Sequence, residues 1–363
     1  MDAFTYRALP QSIIFGPGAL AGAGDAVRSL GARRALVITT PAQAEAGARL
    51  LAQLGAEGAG LFSGAVMHTP VEVTAAALEM VREKGVDCAV ALGGGSTIGL
   101  AKALALRTDM PQVAIPTTYA GSEMTPILGE TDQGVKTTQR TLKVLPEVVL
   151  YDVDLTLALP VNLSVASGMN AIAHAAEALY AKDRNPIISL LSEEAVRRLA
   201  AALPRLVADP RDPAARTDAL YGAALCGMAL GSVGMALHHK LCHTLGGSFD
   251  LPHAETHAAV LPHALAYTLP AAPEARAALA RALGSGDPAL ALYDLEGRLG
   301  APRALKRLGM PQDGIARAAA LAMTDAYWNP RPLQQAAIEA LIARAWRGDP
   351  PETDEITSER REP

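Results

Sequence analysis

Val86-Asp87-Cys88-Ala89-Val90-Ala91-Leu92-Gly93-Gly94-Gly95-Ser96-Thr97 is the stretch that decides the fold class. Its first half is short, apolar and free of alternation, the pattern of a strand buried on both faces. It breaks straight into three glycines, and helical periodicity over 96–107 follows. The same strand pattern occurs at 34–39, 112–116 and 147–152, and helical patterns lie at 18–31, 42–55 and 73–84. Strands alternating with helices predict βαβ units and a parallel, Rossmann-like sheet. Beyond Leu150 no strand pattern appears, and Ala-rich helical periodicity runs over 160–347. Pro and Gly breaks interrupt it at 204–213, 246–252, 284–288 and 301–311. The expected organisation is an α/β dinucleotide-binding domain over 1–155, an all-helical domain over 156–348 and a polar tail over 349–363.

Composition narrows the function classes. The chain has 363 residues, 50% of them apolar and 19% charged, enough to build a core and too apolar for a disordered protein. Its formal charge is −5, and no run of Lys or Arg could track a phosphate backbone, which argues against nucleic-acid binding. Cys88, Cys226 and Cys242 are odd in number and lack CxxC spacing, so a reducing compartment is expected rather than a disulfide scaffold. The N-terminus lacks the basic and apolar regions of a signal peptide. The uncharged stretch 220–237, with Gly227-x-x-x-Gly231, superficially suggests a membrane span, but its glycines and alanines predict a buried helix of a cytoplasmic protein.

Two constellations carry chemistry. Gly93, Gly94, Gly95 and Ser96 lie between a strand and a helix, where backbone can approach a phosphate and the helix N-terminus presents N–H donors. A tight βα turn would also use glycine, though three in a row exceed its need. The polar turn Thr117-Thr118-Tyr119-Ala120-Gly121-Ser122 closes the next strand at the same sheet edge, and Thr40 follows the 34–39 strand. Together these loops suggest a dinucleotide. The second constellation is the histidines: six of the chain's eight fall between His238 and His263. His239 and His243 are i,i+4, as are Asn170 and His174, and His253 follows a Gly246-Gly247 break that could return it to the same site. Such clustering suits metal binding or acid–base work. Individually, His238, His257 and His263 read as structural.

These segments resemble the iron-containing (group III) alcohol dehydrogenases over nearly the whole chain. The matching segments are the GGGS loop, the Ile115-Pro-Thr-Thr118 turn, the segment 145–152, the block 168–174, and the histidines at 239, 243 and 253. The resemblance implies the two-domain architecture of that family. In the family, one aspartate and three histidines bind a divalent metal. The histidines map to His174, His239 and His253, and His243 matches a further active-site histidine. Asn170 stands at the aspartate position, and Gly99 replaces the aspartate of the family's GGGSxxDxAK pattern, which ends here at Lys102. An uncharged amide is a poorer ligand than a carboxylate, so no metal is expected.

Asn170, Gly99, the PTTYAGSEMTP and LPHAETH segments and Asn329-Pro-Arg-Pro332 look like one branch of the family, the maleylacetate reductases. That likeness implies NAD(P)H-dependent reduction of maleylacetate to 3-oxoadipate in bacterial catabolism of aromatics, by a cytoplasmic homodimer. His243 and His253 are then expected to stabilise the enolate or donate the proton, with His174 and His239 lining the pocket and positive imidazoles favouring a dianion. Asn170, Lys240 and Arg331 are candidate substrate contacts. No carboxylate follows the 34–39 strand to repel a 2′-phosphate, so NADPH could be accepted beside NADH. The competing readings are a metal-dependent alcohol or polyol dehydrogenase of the same fold, and a non-catalytic nucleotide- or metal-binding protein.

Overall fold

In the computed structural model, residues 3–352 are described; most of the expected polar tail, 353–363, lies outside them. The described chain forms two compact units.

The first unit comprises Arg7–Ser164 and Asp209–Ser232. Its centre is a six-stranded, wholly parallel sheet built from β1 (Ser12–Gly16), β2 (Ala35–Ile38), β3 (Gly58–Phe62), β4 (Cys88–Gly93), β5 (Gln112–Pro116) and β8 (Val148–Asp152), in the order β1-β8-β5-β4-β2-β3. The remaining strands, β6 (Ile127–Asp132) and β7 (Val135–Arg140), pair as an antiparallel hairpin. Helices α1 (Ala23–Ser29), α2 (Ala44–Leu54), α3 (Val71–Lys84) and α4 (Gly95–Thr108) connect the first five strands. Every residue of β2, β4, β5 and β8 is buried, and Val37, Val90, Leu92, Val113, Ile115 and Leu150 form one core with Leu50 and Leu54 of α2. Strand order reverses between β2 and β4: β2 leads outward to β3, and β4 leads the other way to β5. The crevice at such a reversal, at the carboxyl ends of the strands, is where open α/β sheets take ligands.

Of the described residues, the second unit comprises Val165–Ala208 and 233–352, with residues 3–6. It is helical: α5 (Val161–Ala178, entering from the first unit), α6 (Pro186–Ala208), α8 (Leu237–Phe249), α9 (His253–Thr268), α10 (Pro273–Leu283), α11 (Pro288–Leu299), α12 (Gly314–Met323) and α13 (Gln335–Arg347). Leu237, Leu241 and Leu245 of α8 pack with Val260 of α9 and Ile338, Leu341 and Ile342 of α13.

The compact units do not divide at a single point near 155. The helix α7 (Pro213–Ser232) lies within the long helical run, yet it belongs with the sheet. Its glycines explain why. A Cβ on Gly231 would lie 2.4 Å from the Met124 carbonyl oxygen, and one on Gly227 would lie 2.9 Å from that of Gly121. The Gly-x-x-x-Gly pair thus lets α7 pack backbone to backbone against the segment after β5. The 220–237 stretch is not one helix: α7 ends at Ser232 and α8 starts at Leu237. Among the described residues no single helix is long and apolar enough to cross a membrane.

Candidate functional site

The chemistry-bearing residues form one group in each unit. In the first, β4 delivers Gly93 to the sheet edge and α4 begins at Gly95. Gly93 has φ +155°, and a Cβ there would lie 2.4 Å from Thr97 Oγ1 and 2.8 Å from Gln43 Oε1, so only glycine fits. The amides of Thr97 and Ile98 both donate to the Gly94 carbonyl. The amides of Gly95 and Ser96 open the first turn, where N–H groups have no intrahelical acceptor and the helix dipole favours an anion. A Cβ on Gly95 would meet nothing within 4 Å. Around the loop stand hydroxyls and one amide from the segments after β2 and β5. Gln43 Nε2 donates to Thr117 Oγ1 at 3.0 Å, and Thr40 Oγ1 donates to Gln43 Oε1 at 3.3 Å. Thr118 packs at Gly94, and Ser122 is half-buried. This cradle is polar and uncharged, and it can bind phosphate through N–H and O–H donors.

Tyr119, expected at the cofactor, serves the loop from inside instead. It is fully buried, and Arg216 Nη1 of α7 donates to its hydroxyl at 3.0 Å. Arg216 also donates to Ser164 Oγ at 2.7 Å and to the Leu159 carbonyl at 2.8 Å. Gln43 went unnoticed in the sequence, because a lone glutamine after a strand carries no pattern.

In the second unit, α5 places Asn170, His174 and Glu177 on one face, and α8 and α9 bring His239, His243, His253 and His257 together. The imidazoles form a ladder from the interior outward. Ring centroids of His174 and His239 are 5.0 Å apart, His239 and His257 4.9 Å, His257 and His253 4.3 Å, and His253 stacks toward His243 at 6.5 Å. His174, His239 and His257 are buried, whereas His243 and His253 are exposed. Tyr327 meets the outer end, its hydroxyl 3.2 Å from His243 Nδ1. Lys240 Nζ lies 5.8 Å from the Tyr327 ring centre. The Arg331 guanidinium stacks on Tyr267 of α9 at 4.1 Å and donates to the Tyr267 carbonyl.

Glu177 organises the inner end. Its carboxylate accepts the amides of Ala236 at 3.0 Å and His238 at 2.7 Å, and lies 2.6 Å from His239 Nδ1. Two backbone donors favour the ionised carboxylate although burial pushes its pKa up. His239 therefore carries its proton on Nδ1, with the Nε2 lone pair turned to the site. Burial, reinforced by neighbouring imidazoles, holds His174, His239 and His257 well below the usual histidine value. The inner rings are thus neutral at pH 7, which corrects the expectation of positive imidazoles for that part of the cluster. Asn170 Oδ1, His174 Nδ1 and His239 Nε2 are buried without protein partners, and such atoms mark where a polar ligand is received.

His257, read from sequence as structural, stands in the middle of the ladder. His238, also read from sequence as structural, donates its Nε2–H to the His257 carbonyl at 3.0 Å. Glu177 escaped notice because a carboxylate on an Ala-rich helix looks like a solvated one.

The family's metal set is one carboxylate and three histidines, and here an amide, Asn170, stands at the carboxylate position. The ring nitrogens that gather within 4.8 Å are those of His174, His239 and His257 rather than His253. Asn170 contributes no charge, and Glu177 is already held by three N–H groups.

Comparison with known proteins agrees with the fold and the motifs. Residues 10–153 match the family model described as iron-containing alcohol dehydrogenase, and residues 164–346 match that of the C-terminal domain of the Fe-containing alcohol dehydrogenase family. The chain is 57% identical to the maleylacetate reductase of Sphingobium indicum over 96% of its own length and 99% of the relative's. It is 56% identical to the maleylacetate reductase of a Rhizobium species, covering 97% and 100%. Among solved structures, maleylacetate reductase from Agrobacterium tumefaciens superposes with a TM-score of 0.95 at 55% identity, covering 97% and 100% of the two chains. An iron-containing alcohol dehydrogenase from Corynebacterium glutamicum superposes with a TM-score of 0.91 at 41% identity, covering 95% and 97%.

Proposed function

The chain belongs to the iron-containing alcohol dehydrogenase family, and from that premise we propose that it is an NAD(P)H-dependent oxidoreductase that reduces the carbon–carbon double bond of maleylacetate to give 3-oxoadipate. The likeness to maleylacetate reductases at 50–57% identity across 93–97% of this chain carries the reading.

Maleylacetate is a dicarboxylate whose double bond is conjugated to a ketone. Bound NAD(P)H would supply a hydride to the carbon β to the ketone, with the displaced electron pair moving onto the ketone oxygen. Protonation of the α carbon then yields the product and the oxidised cofactor. Negative charge develops on the enolate oxygen, so the site must supply hydrogen-bond donors and a proton. His243 and His253 take these roles. Both are exposed, so they exchange protons with water, and both lie next to the ladder. His174 and His239 line the inner pocket, with Asn170 beside them as a candidate substrate contact. Lys240 is the first candidate to anchor a carboxylate, and Arg331, held by Tyr267, the second. The Gly93–Ser96 loop with Thr40, Thr117, Thr118 and Ser122 binds the cofactor. NADH is the expected reductant, with NADPH accepted because β2 ends in threonines rather than a carboxylate. Asn170 supports turnover without a required metal. A cytoplasmic homodimer completes the proposal, and sedimentation of the purified protein checks the dimer.

One assay tests the activity and its metal-independence. Loss of nicotinamide absorbance with maleylacetate, unaffected by chelator, is the expected outcome. Turnover confined to alcohols or aldehydes, or abolished by chelator, would make this a metal-dependent dehydrogenase. In the same assay His253→Ala should lower turnover more than tenfold while cofactor binding is unchanged.

A further inference from the structure

Lys102 completes the glycine-loop motif, yet no chemistry is assigned to it. It lies on α4, two turns beyond the loop, and it is fully buried. Its ammonium donates to the carbonyls of Ser122 at 2.6 Å, Thr125 at 2.7 Å and Ile127 at 2.9 Å, and to Thr125 Oγ1 at 3.0 Å. The acceptors all come from one segment, the stretch that follows β5 and ends at the first residue of β6. That segment has little regular structure of its own: Gly121 at φ +80° leads into a single 3-10 turn over Ser122–Met124.

A buried ammonium is costly unless its hydrogens are all taken up. Here they are, by three carbonyls and one hydroxyl of that segment. A methionine of similar length would pack in the same tunnel without the desolvation penalty, so the contribution of the charge is the shape it imposes on the segment. Burial lowers the Lys102 pKa to about 7, and Glu123, on the same turn, opposes that shift. From the other side, α7 presses Gly227 and Gly231 against this turn, and Arg216 grips Tyr119. The same segment carries Thr117, Thr118 and Ser122.

We propose that Lys102 is a positioning residue of the cofactor site: by tying three carbonyls of the 122–127 turn to α4, it fixes the 117–122 loop in the form that presents its hydroxyls to the nicotinamide nucleotide. The inference rests on the cofactor reading given above. Lys102 does not touch the cofactor, and its effect reaches the nucleotide through the loop.

The test compares wild type, Lys102→Met and Lys102→Ala for NADH dissociation constant, kcat, KM for maleylacetate and thermal midpoint. Lys102→Met should raise the NADH dissociation constant at least tenfold while KM for maleylacetate changes less than twofold. In Lys102→Ala, added n-propylammonium should refill the cage and recover part of the lost NADH affinity, whereas sodium at equal ionic strength should not. Variants that melt earlier but bind NADH as wild type does would reduce Lys102 to a packing residue and overturn the proposal. Should Lys102→Ala not fold, Lys102→Met decides alone, because it keeps the side-chain volume. Wild-type protein that binds no nicotinamide nucleotide would instead sink the cofactor reading itself, so the two failures are distinguishable.

Discussion

Single residues carry the proposed reading of this site, and their roles follow from what surrounds them. Asn170 and the clustered histidines were legible in the sequence, because rare residue types at i,i+4 spacing stand out against an Ala-rich background. Glu177 and Lys102 were not. A charged residue on a helix looks the same in one dimension whether water or three backbone groups satisfy it. Gly95 gives a prediction at this scale. A methyl group there meets no protein atom within 4 Å, and alanine suits a first helical turn better than glycine does. Gly95→Ala should therefore leave the thermal midpoint unchanged or slightly raised. If phosphate sits against that amide, KM for NADH should rise about tenfold, an order-of-magnitude figure for one displaced charge-assisted contact. Titrating NADH into the folded variant checks it, and unchanged affinity would move the phosphate elsewhere.

Elements were legible in proportion to their burial. The strands β2, β4, β5 and β8 are buried on both faces and announce themselves as apolar runs. The edge strand β1 does not: Ile13, Ile14 and Phe15 are exposed, and the run is preceded by polar residues. Two glycines disguise β3, and the β6–β7 hairpin turns through Gln133 and Gly134 at φ +46° and +80° between largely polar strands. Proline misleads as well, since Pro204 and Pro262 sit inside α6 and α9 rather than ending them. On α9, burial holds His263 at a pKa of about 4, below its unfolded value near 6.5. Between those values the unfolded chain binds a proton that the native state does not. The contribution of His263 to stability is therefore complete above about pH 6.5 and is lost as pH falls toward 4. His263→Gln should flatten the dependence of unfolding free energy on pH in that window by about 1.4 kcal/mol per unit, measured by urea titrations at several pH values. An unchanged slope would mean that His263 is protonated in the native state.

At the scale of the whole molecule, the change from alternating elements to helices near 155 was legible, but the partition into compact units was not. In sequence α7 is one more Ala-rich helix. What assigns it to the sheet is a pair of glycines whose missing side chains admit the 121–124 backbone, together with Arg216, whose guanidinium is buried on Tyr119 and Ser164. A fragment spanning 7–164 should accordingly lack a cooperative thermal transition, because it lacks α7. Joining 209–232 to it through a flexible linker should restore the transition, followed by circular dichroism. A cooperative transition in the short fragment would show that α7 is dispensable to the sheet unit.

The placement of α7 also sets a timetable for biosynthesis. The nucleotide cradle is encoded early, yet one wall of the loop beside it is encoded last among the parts of its unit, at residue 232. At about 5–20 residues per second a ribosome needs roughly 3–14 s to pass from residue 164 to residue 232. Throughout that interval the nascent sheet holds an unfinished loop, and the helical segment Val165–Ala208 emerges before the sheet unit is complete. Synonymous codons that slow translation between 165 and 232 would lengthen the exposure of the half-built sheet to chaperones and proteases, and those that speed it would shorten it.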